Sequence, residues 1–85
     1  MNPYLLKQPE NEWQLGAKFW SKGYAAEIGN AVVQAAFINT DIIRIYGMAN
    51  PKNIASMKVM KKIGMSCLGV RDFRGEQDMC YEILR

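Results

Sequence analysis

Two segments of the chain carry apolar residues at the spacing of a helix that packs on a core. The first runs from Tyr24 to about Phe37, and the second runs from Asn53 to Ile63. Asn53 is the predicted N-cap of the second helix, and Gly64 is its predicted C-terminal stop. The stripe predicted to face the core consists, in the first helix, of Ala25, Ile28, Gly29, Val32 and Ala36, widened by Val33 and Phe37, and, in the second, of Ala55, Val59 and Ile63.

Four other segments alternate or are rich in β-branched residues, which is typical of strands. They are Glu12–Phe19, Ile42–Met48, Ser66–Phe73 and Gln77–Leu84. The second is almost continuously apolar, which predicts a strand covered on both faces. Residues 1–11 contain two prolines and are interpreted as an extended lead-in or a partly paired edge.

The order β-α-β-α-β-β predicts one domain over residues 1–85. Strand, helix and strand form a βαβ unit with parallel strands, and a short connection joins the last two strands as an antiparallel hairpin. The fold class is therefore α/β, or an α+β sandwich, with a mixed four-stranded sheet and two helices.

Composition narrows the function classes. The 85 residues are 49% hydrophobic and 22% charged, which is ordinary for a folded domain, and the net charge of +3 comes from scattered lysines. This charge does not favour binding to nucleic acid or a membrane surface. Cys67 and Cys80 lack metal-site spacing and are expected to be buried thiols, so no metal is predicted. With no signal peptide and no spanning segment recognised, a reducing cytoplasm is the expected location.

Candidate chemistry lies at two junctions where a strand leads into a helix. Ser21–Ala25 combines glycine with small residues at a helix start, where backbone amides can approach an anion, although a plain structural turn is the favoured interpretation on this run alone. Asn53 and Ser56 lie at the start of the second helix, where ordinary capping is favoured on spacing alone. Histidine is absent, so a histidine-based triad is excluded. Surface positions are expected for Glu12, Glu27, Asp72 and Glu82, and packed positions for Tyr24, Tyr46 and Tyr81.

Two longer motifs contain these junctions. The first is Trp20–Glu27, which reads W-S-K-G-Y-A-A-E, and the second combines Asn50–Ser56 with Lys61–Met65. Together they closely resemble the GNAT acetyltransferases, in the branch of the ribosomal-protein-alanine and spermidine N-acetyltransferases. The resemblance covers about residues 12 to 85.

The resemblance implies an acetyl-CoA-dependent transfer of acetyl to a primary amine. It implies that backbone amides of the first turn hold the pyrophosphate and that the pantetheine arm lies between Glu12–Phe19 and Ile42–Met48. Ser56, near the sulfur, is the implied proton donor to the departing thiolate. The implied cofactor-binding residues are Trp20, Ser21, Lys22, Gly23, Tyr24, Ala25, Asn53 and Ser56.

The chain also departs from the family pattern. Many members carry a tyrosine seven residues after the asparagine, and here that position is Met60, which cannot donate a proton. Ser56 is then the only acid with motif support, and Glu12 is a weak candidate for the base.

The match implies roughly the C-terminal half of a GNAT domain. Glu12–Phe19 is therefore expected to be an open sheet edge, and pairing through that edge or strand exchange predicts a homodimer. Two alternatives stay open. One is a truncated, inactive remnant that acts as an oligomeric CoA-binding or interaction module, and the other is a piece of a longer enzyme.

Overall fold

The computed structural model describes residues 4–8, 12–16, 19, 26–73 and 75–85. These residues form a mixed sheet of five strands with two helices, so the predicted α/β class is confirmed and the predicted strand number is one too low. The sheet order is β1-β2-β3-β5-β4. The elements are β1 (Leu5–Gln8), β2 (Glu12–Leu15), α1 (Ala26–Asn39), β3 (Arg44–Ala49), α2 (Ile54–Ile63), β4 (Ser66–Phe73) and β5 (Glu76–Leu84).

The first strand corrects the expectation of an open edge at Glu12–Phe19. β1 pairs antiparallel with β2, with Leu5 opposite Leu15, so β2 is an interior strand and β1 forms the edge. Leu5 is buried in the core, which gives this short segment a reason to pair. β2 ends at Leu15, and Phe19 is fully buried beyond it.

The other pairings follow the predicted topology. β2 and β3 are parallel, as the βαβ interpretation requires, and β3 pairs antiparallel with β5 along its whole length. β4 and β5 form the predicted antiparallel hairpin, with a register shift between Cys67 and Gly69.

The core lies on one face of the sheet, and both helices pack there, because one cluster contains their buried residues together with alternate strand positions. β3 alternates between buried and half-buried residues, so the expectation that both of its faces are covered is wrong. The half-buried positions are Arg44, Tyr46 and Met48. Their apolar parts made the segment look continuously hydrophobic.

The helix stripes needed two corrections. In α2 the buried residues are Met60 and Ile63, whereas Ala55 is exposed and Val59 is half-buried. In α1 the prediction is confirmed for Gly29, Val32, Val33, Ala36 and Phe37, which are all buried, whereas the predicted Ile28 is 44% exposed. The periodicity was correct, but the centre of each stripe depends on which strands lie beneath it.

The two cysteines differ from each other. Cys80 is buried as predicted, whereas Cys67 is exposed on the edge strand β4, and both are free thiols. Neither helix of the described residues is long and apolar enough to cross a membrane.

Candidate functional site

The parallel strands β2 and β3 stay together over only a short distance. Their registered pairs are Trp13 with Ile45 and Gln14 with Tyr46, after which β3 continues through Gly47 to Ala49, paired on its other side with β5. From Gly47 to Ala49, therefore, β3 has no registered partner in β2. Backbone N–H and C=O groups in such a position are ready to bond an extended ligand.

A tight turn carries the chain from the end of β3 into α2. The Asn50 side-chain oxygen accepts from the Lys52 amide at 2.9 Å, and the Asn50 carbonyl accepts from the Asn53 amide at 2.8 Å. Asparagine favours such turns because its side chain replaces a backbone acceptor. The start of α2 is thereby fixed close to the carboxyl end of β3.

The predicted pair of Asn53 and Ser56 meets at this helix start. Asn53 Oδ1 accepts a hydrogen bond from the Ser56 amide at 3.1 Å, which confirms Asn53 as the N-cap. The Asn53 amide group remains on an exposed residue as a donor. The Ser56 hydroxyl, on a half-buried residue, makes no hydrogen bond within the described part of the chain.

Close packing holds α2 on β3. Met60 is 0% exposed, and a Cβ added at Gly47 would lie only 2.5 Å from the Met60 sulfur. Glycine at this position thus lets the helix approach the strand. Because Ser56 and Met60 are four residues apart, Ser56 lies one turn earlier on the same side of the helix.

The other predicted cofactor residues cannot be placed. Trp20, Ser21, Lys22, Gly23, Tyr24 and Ala25 lie outside the described residues, and α1 is described from Ala26 onward. At the other end, α1 is followed by Thr40, whose hydroxyl donates to the Ala36 carbonyl at 2.7 Å.

A polar cluster on the sheet face opposite the core was not predicted as a group. Arg44 Nη1 donates to the Tyr46 hydroxyl at 3.0 Å, and Arg44 Nε lies 3.2 Å from a carboxylate oxygen of Glu82. The hydrogen bond to Tyr46, followed by the negative charges of Glu82 and Glu12, raises the pKa of Arg44 above its usual value. Arg44 and Tyr46 are two residues apart in β3, which was enough to predict that they share a face of the sheet. Their partner Glu82 on β5 can be identified only from the pairing register of the two strands.

Glu12, the weak candidate for the base, belongs to the surroundings of this cluster. It is half-buried on β2, and its charge acts on Arg44. By strand alternation it lies on the opposite face from Trp13, which is buried in the core. The structure therefore does not bring Glu12 together with Asn53 and Ser56.

Tyr81, on β5, is a buried residue with a hydroxyl group. It lies opposite Gly47 in the sheet and is 2% exposed. Burial, followed by the neighbouring Cys67 thiol, raises the pKa of Tyr81. Within the described residues no group of three His, Cys, Asp or Glu side chains is arranged to hold a metal ion.

Comparison with known families identifies this arrangement. The family model for the "Acetyltransferase (GNAT) domain" matches residues 2–66, which is most of the chain. The chain belongs to the GNAT acetyltransferase family. The resemblance inferred from the two motifs is thus confirmed.

Individual relatives are longer than this GNAT chain. The uncharacterized N-acetyltransferase YnaD of Bacillus subtilis is 40% identical over 53 residues, which cover 62% of this chain and 31% of that protein. A GNAT-family acetyltransferase from Bacillus anthracis superposes with a TM-score of 0.74 at 30% identity, over 94% of this chain and 55% of that one.

A third relative shares the fold at lower identity. The aminoglycoside acetyltransferase AAC(6')-Ib, solved in complex with coenzyme A, superposes with a TM-score of 0.71 at 16% identity, over 87% of this chain and 46% of that one. The chain thus spans about a third of the curated relative and about half of each solved structure.

Proposed function

We propose that residues 1–85 form a single acetyl-CoA-binding GNAT domain that transfers acetyl to a primary amine and that works as a homodimer in the cytoplasm. One observation carries the proposal. β3 runs past its registered pairs with β2 as far as Ala49, and a tight turn at Asn50 leads from its end into α2, whose N-cap is Asn53 and whose first turn contains Ser56. An extended pantetheine arm fits such a strand, because its amide groups can bond the backbone beyond the registered pairs as another strand would.

The roles proposed for individual residues follow from this placement. The Asn53 Oδ1 atom is used by the helix cap, so its amide nitrogen is the group that would contact the cofactor. Ser56, whose hydroxyl has no partner among the described residues, would protonate the departing thiolate. The turn from Trp20 to Ala25 would hold the pyrophosphate through backbone amides, a role supported by its sequence motif.

Calorimetric titration with acetyl-CoA tests the cofactor proposal directly. Saturable binding is expected, and its absence at millimolar ligand would overturn the proposal. Gly23→Glu should abolish binding by blocking close approach of the phosphates and adding like charge. Gln34→Glu adds the same charge on the exposed side of α1 and should bind normally. Equal affinity of the two variants would mean that the pyrophosphate binds elsewhere.

A second pair of variants separates capping from cofactor contact at Asn53. Asn53→Ala loses both the cap and the amide donor, whereas Asn53→Ser keeps a capping oxygen and loses only the donor. Loss of one hydrogen bond of about 1 kcal/mol corresponds to roughly fivefold weaker binding. We expect the serine variant to keep near-normal stability and to show this loss. Normal affinity in Asn53→Ser would remove Asn53 from the cofactor site.

Ser56→Ala tests the proton-donor role. It should weaken acetyl-CoA affinity by no more than about fivefold, the loss of one hydrogen bond, and slow thiol release to an amine acceptor by about tenfold to a hundredfold, since a serine hydroxyl is a modest acid. Ser66→Ala, an exposed serine on β4, is the control. Equal turnover in the two variants would contradict a role for Ser56.

A specific observation favours a second candidate function. Met60, on the same helix as Ser56, is buried and cannot donate a proton. This suits an inactive protein that acts as an oligomeric interaction or CoA-binding module. Saturable acetyl-CoA binding without transfer to any member of a broad amine panel would support this module over the enzyme.

A further inference from the structure

The registered pairing of β2 with β3 sets a limit on how far an extended cofactor can reach. It ends at Gln14 and Tyr46, and Gly47 is the next residue of β3. The motif proposed to hold the pyrophosphate follows β2 in the chain, so the cofactor comes from the carboxyl ends of these parallel strands. Its acyl end must stop at the last registered pair, because paired strands lie only about 4.8 Å apart and leave no room between them. Gly47 is therefore the β3 residue expected beside the acyl group.

The space over Gly47 on the core face of the sheet is filled by Met60. Gly47 lies between the buried residues Ile45 and Ala49 on this face. A Cβ at position 47 would lie only 2.5 Å from the Met60 sulfur, and Met60 is 0% exposed. Protein interiors contain few voids larger than a water molecule. Little room therefore remains beside Gly47 for a chain of several carbons.

The other face of the sheet is polar at the same level of β3. Tyr46 lies on that face, where its hydroxyl accepts from Arg44 at 3.0 Å, and Glu82 lies 3.2 Å from the same arginine. An apolar acyl chain is more stable against the Met60 thioether than against this charged cluster, because desolvating charged groups costs free energy. The last carbon of the acyl group should thus point toward Met60.

We propose that Met60, packed on Gly47, limits the length of the acyl group and makes the protein selective for acetyl-CoA over longer acyl-CoA thioesters. This selectivity rests on the acetyl-CoA binding of the proposed function and adds a specificity-determining residue to it. A methionine side chain suits the role, since it is unbranched and apolar and fills irregular gaps in a core.

Shortening Met60 should lengthen the acyl group that is accepted. Met60→Ala leaves an apolar cavity, and such cavities in protein cores take up apolar ligands. Butyryl-CoA has two more methylene groups than acetyl-CoA, and burying each one strengthens binding about fourfold, so the affinity for butyryl-CoA relative to acetyl-CoA should rise roughly tenfold. Calorimetric titration with each thioester measures this ratio without any amine acceptor.

Two control variants separate chain length from general loosening of the core. Met60→Leu conserves volume and should keep the wild-type preference. Ile63→Ala also removes a large buried side chain from α2, since Ile63 is 4% exposed. Ile63 packs toward α1 instead, because a Cβ added at Gly29 would meet its Cδ1 atom. This variant should lose stability without any gain in relative affinity for butyryl-CoA.

Thermal unfolding gives a second readout of the same cavity. A ligand raises the melting temperature according to how tightly it binds the folded state. At equal concentrations, butyryl-CoA should raise the melting temperature of Met60→Ala more than acetyl-CoA does, and the order should be reversed in the wild type. Met60→Val removes less volume and should show the corresponding change with propionyl-CoA, so it decides the question if the alanine variant does not fold.

The outcomes are distinct. A preference for acetyl-CoA in the wild type and Met60→Leu that moves toward the longer thioester only when Met60 is shortened supports the proposal. An unchanged ratio of affinities in the shortened variants overturns it, and so does an equal gain in Ile63→Ala or a wild type that binds butyryl-CoA as tightly as acetyl-CoA. In each of these cases the proposed acetyl-CoA binding stands. A wild type that binds neither thioester at millimolar concentration overturns both.

Discussion

Gly47→Ala tests the contact that seats α2 on the sheet. The new Cβ would lie 2.5 Å from the Met60 sulfur and 3.3 Å from both the terminal carbon and the sulfur of Met65. Both methionines are buried, so neither side chain can move into solvent. The helix and the strand must therefore separate or the two side chains must leave their preferred rotamers.

The size of the effect follows from two opposing terms. Overpacking of a core by one methyl group costs about 1–3 kcal/mol, and replacing glycine by alanine returns about 0.4–1 kcal/mol by restricting the unfolded chain. We expect a net loss of about 1–2 kcal/mol. For a domain of this size that corresponds to a melting temperature lowered by roughly 4–16 °C.

The assay is thermal unfolding followed by circular dichroism at fixed protein concentration. Gly16→Ala is the matched control, because the three atoms nearest to its added Cβ all belong to the side chain of Leu6, the first of them 2.7 Å away, and Leu6 is half-exposed and can turn aside. Its melting temperature should stay within about 4 °C of the wild type. If Gly47→Ala melts at or above the wild-type temperature, the packing argument is wrong.

A double variant separates this contact from other effects of the substitution. Met60→Ala alone should cost about 2–5 kcal/mol through the cavity that it leaves. In that background the methyl group at position 47 has room, so Gly47→Ala should cost nothing further. Strictly additive losses would contradict a direct contact between the two residues.

Two further predictions concern the C-terminal residue and a buried tyrosine. Arg85 donates from Nε and Nη2 to the Ile42 carbonyl, at 3.1 and 2.8 Å. In urea titrations, Arg85→Ala should therefore lower the free energy of unfolding by about 1–2 kcal/mol. Arg85→Lys should restore less than half of that lost stability. Because burial raises the pKa of Tyr81 in the folded protein, the unfolded chain loses this proton first as the pH rises. Stability should therefore fall above about pH 10 and fall less in Tyr81→Phe, and parallel pH curves for the two proteins would refute this assignment.

Local sequence predicted the ends of helices better than it predicted which helix face is buried. The ends of α2 were correct because Asn53 and Gly64 determine them locally, the first through its capping oxygen and the second through a φ of 100°. Its buried face was centred wrongly on Ala55 and Val59. Met60 is buried because Gly47, thirteen positions earlier and in another element, leaves space for it, and such complementarity has no local signal.

The sequence indicated β1 only as one of two alternatives, an extended lead-in or a partly paired edge, and the reason is similar. β1 has only four residues, and its pairing with β2 depends on burial of Leu5 in a core assembled from distant segments. Within the candidate site, the spacing of Asn53 and Ser56 was enough to predict that they meet. Two other features could be recognised only from the strand register. One is the point at which the pairing of β3 with β2 ends, and the other is the contact between Arg44 and Glu82.

The contact between Gly47 and Met60 also bears on the proposed chemistry. The Met60 thioether packs over Gly47, the first β3 residue beyond the registered pairs with β2, so this turn of α2 presents an apolar group to the strand there. Ser56 lies one turn earlier, toward the start of the helix, and its half-buried hydroxyl is the next side-chain group on the same face. A change at Gly47 that tilts α2 should therefore weaken acetyl-CoA binding as well as stability, because the helix that it displaces carries Asn53 and Ser56.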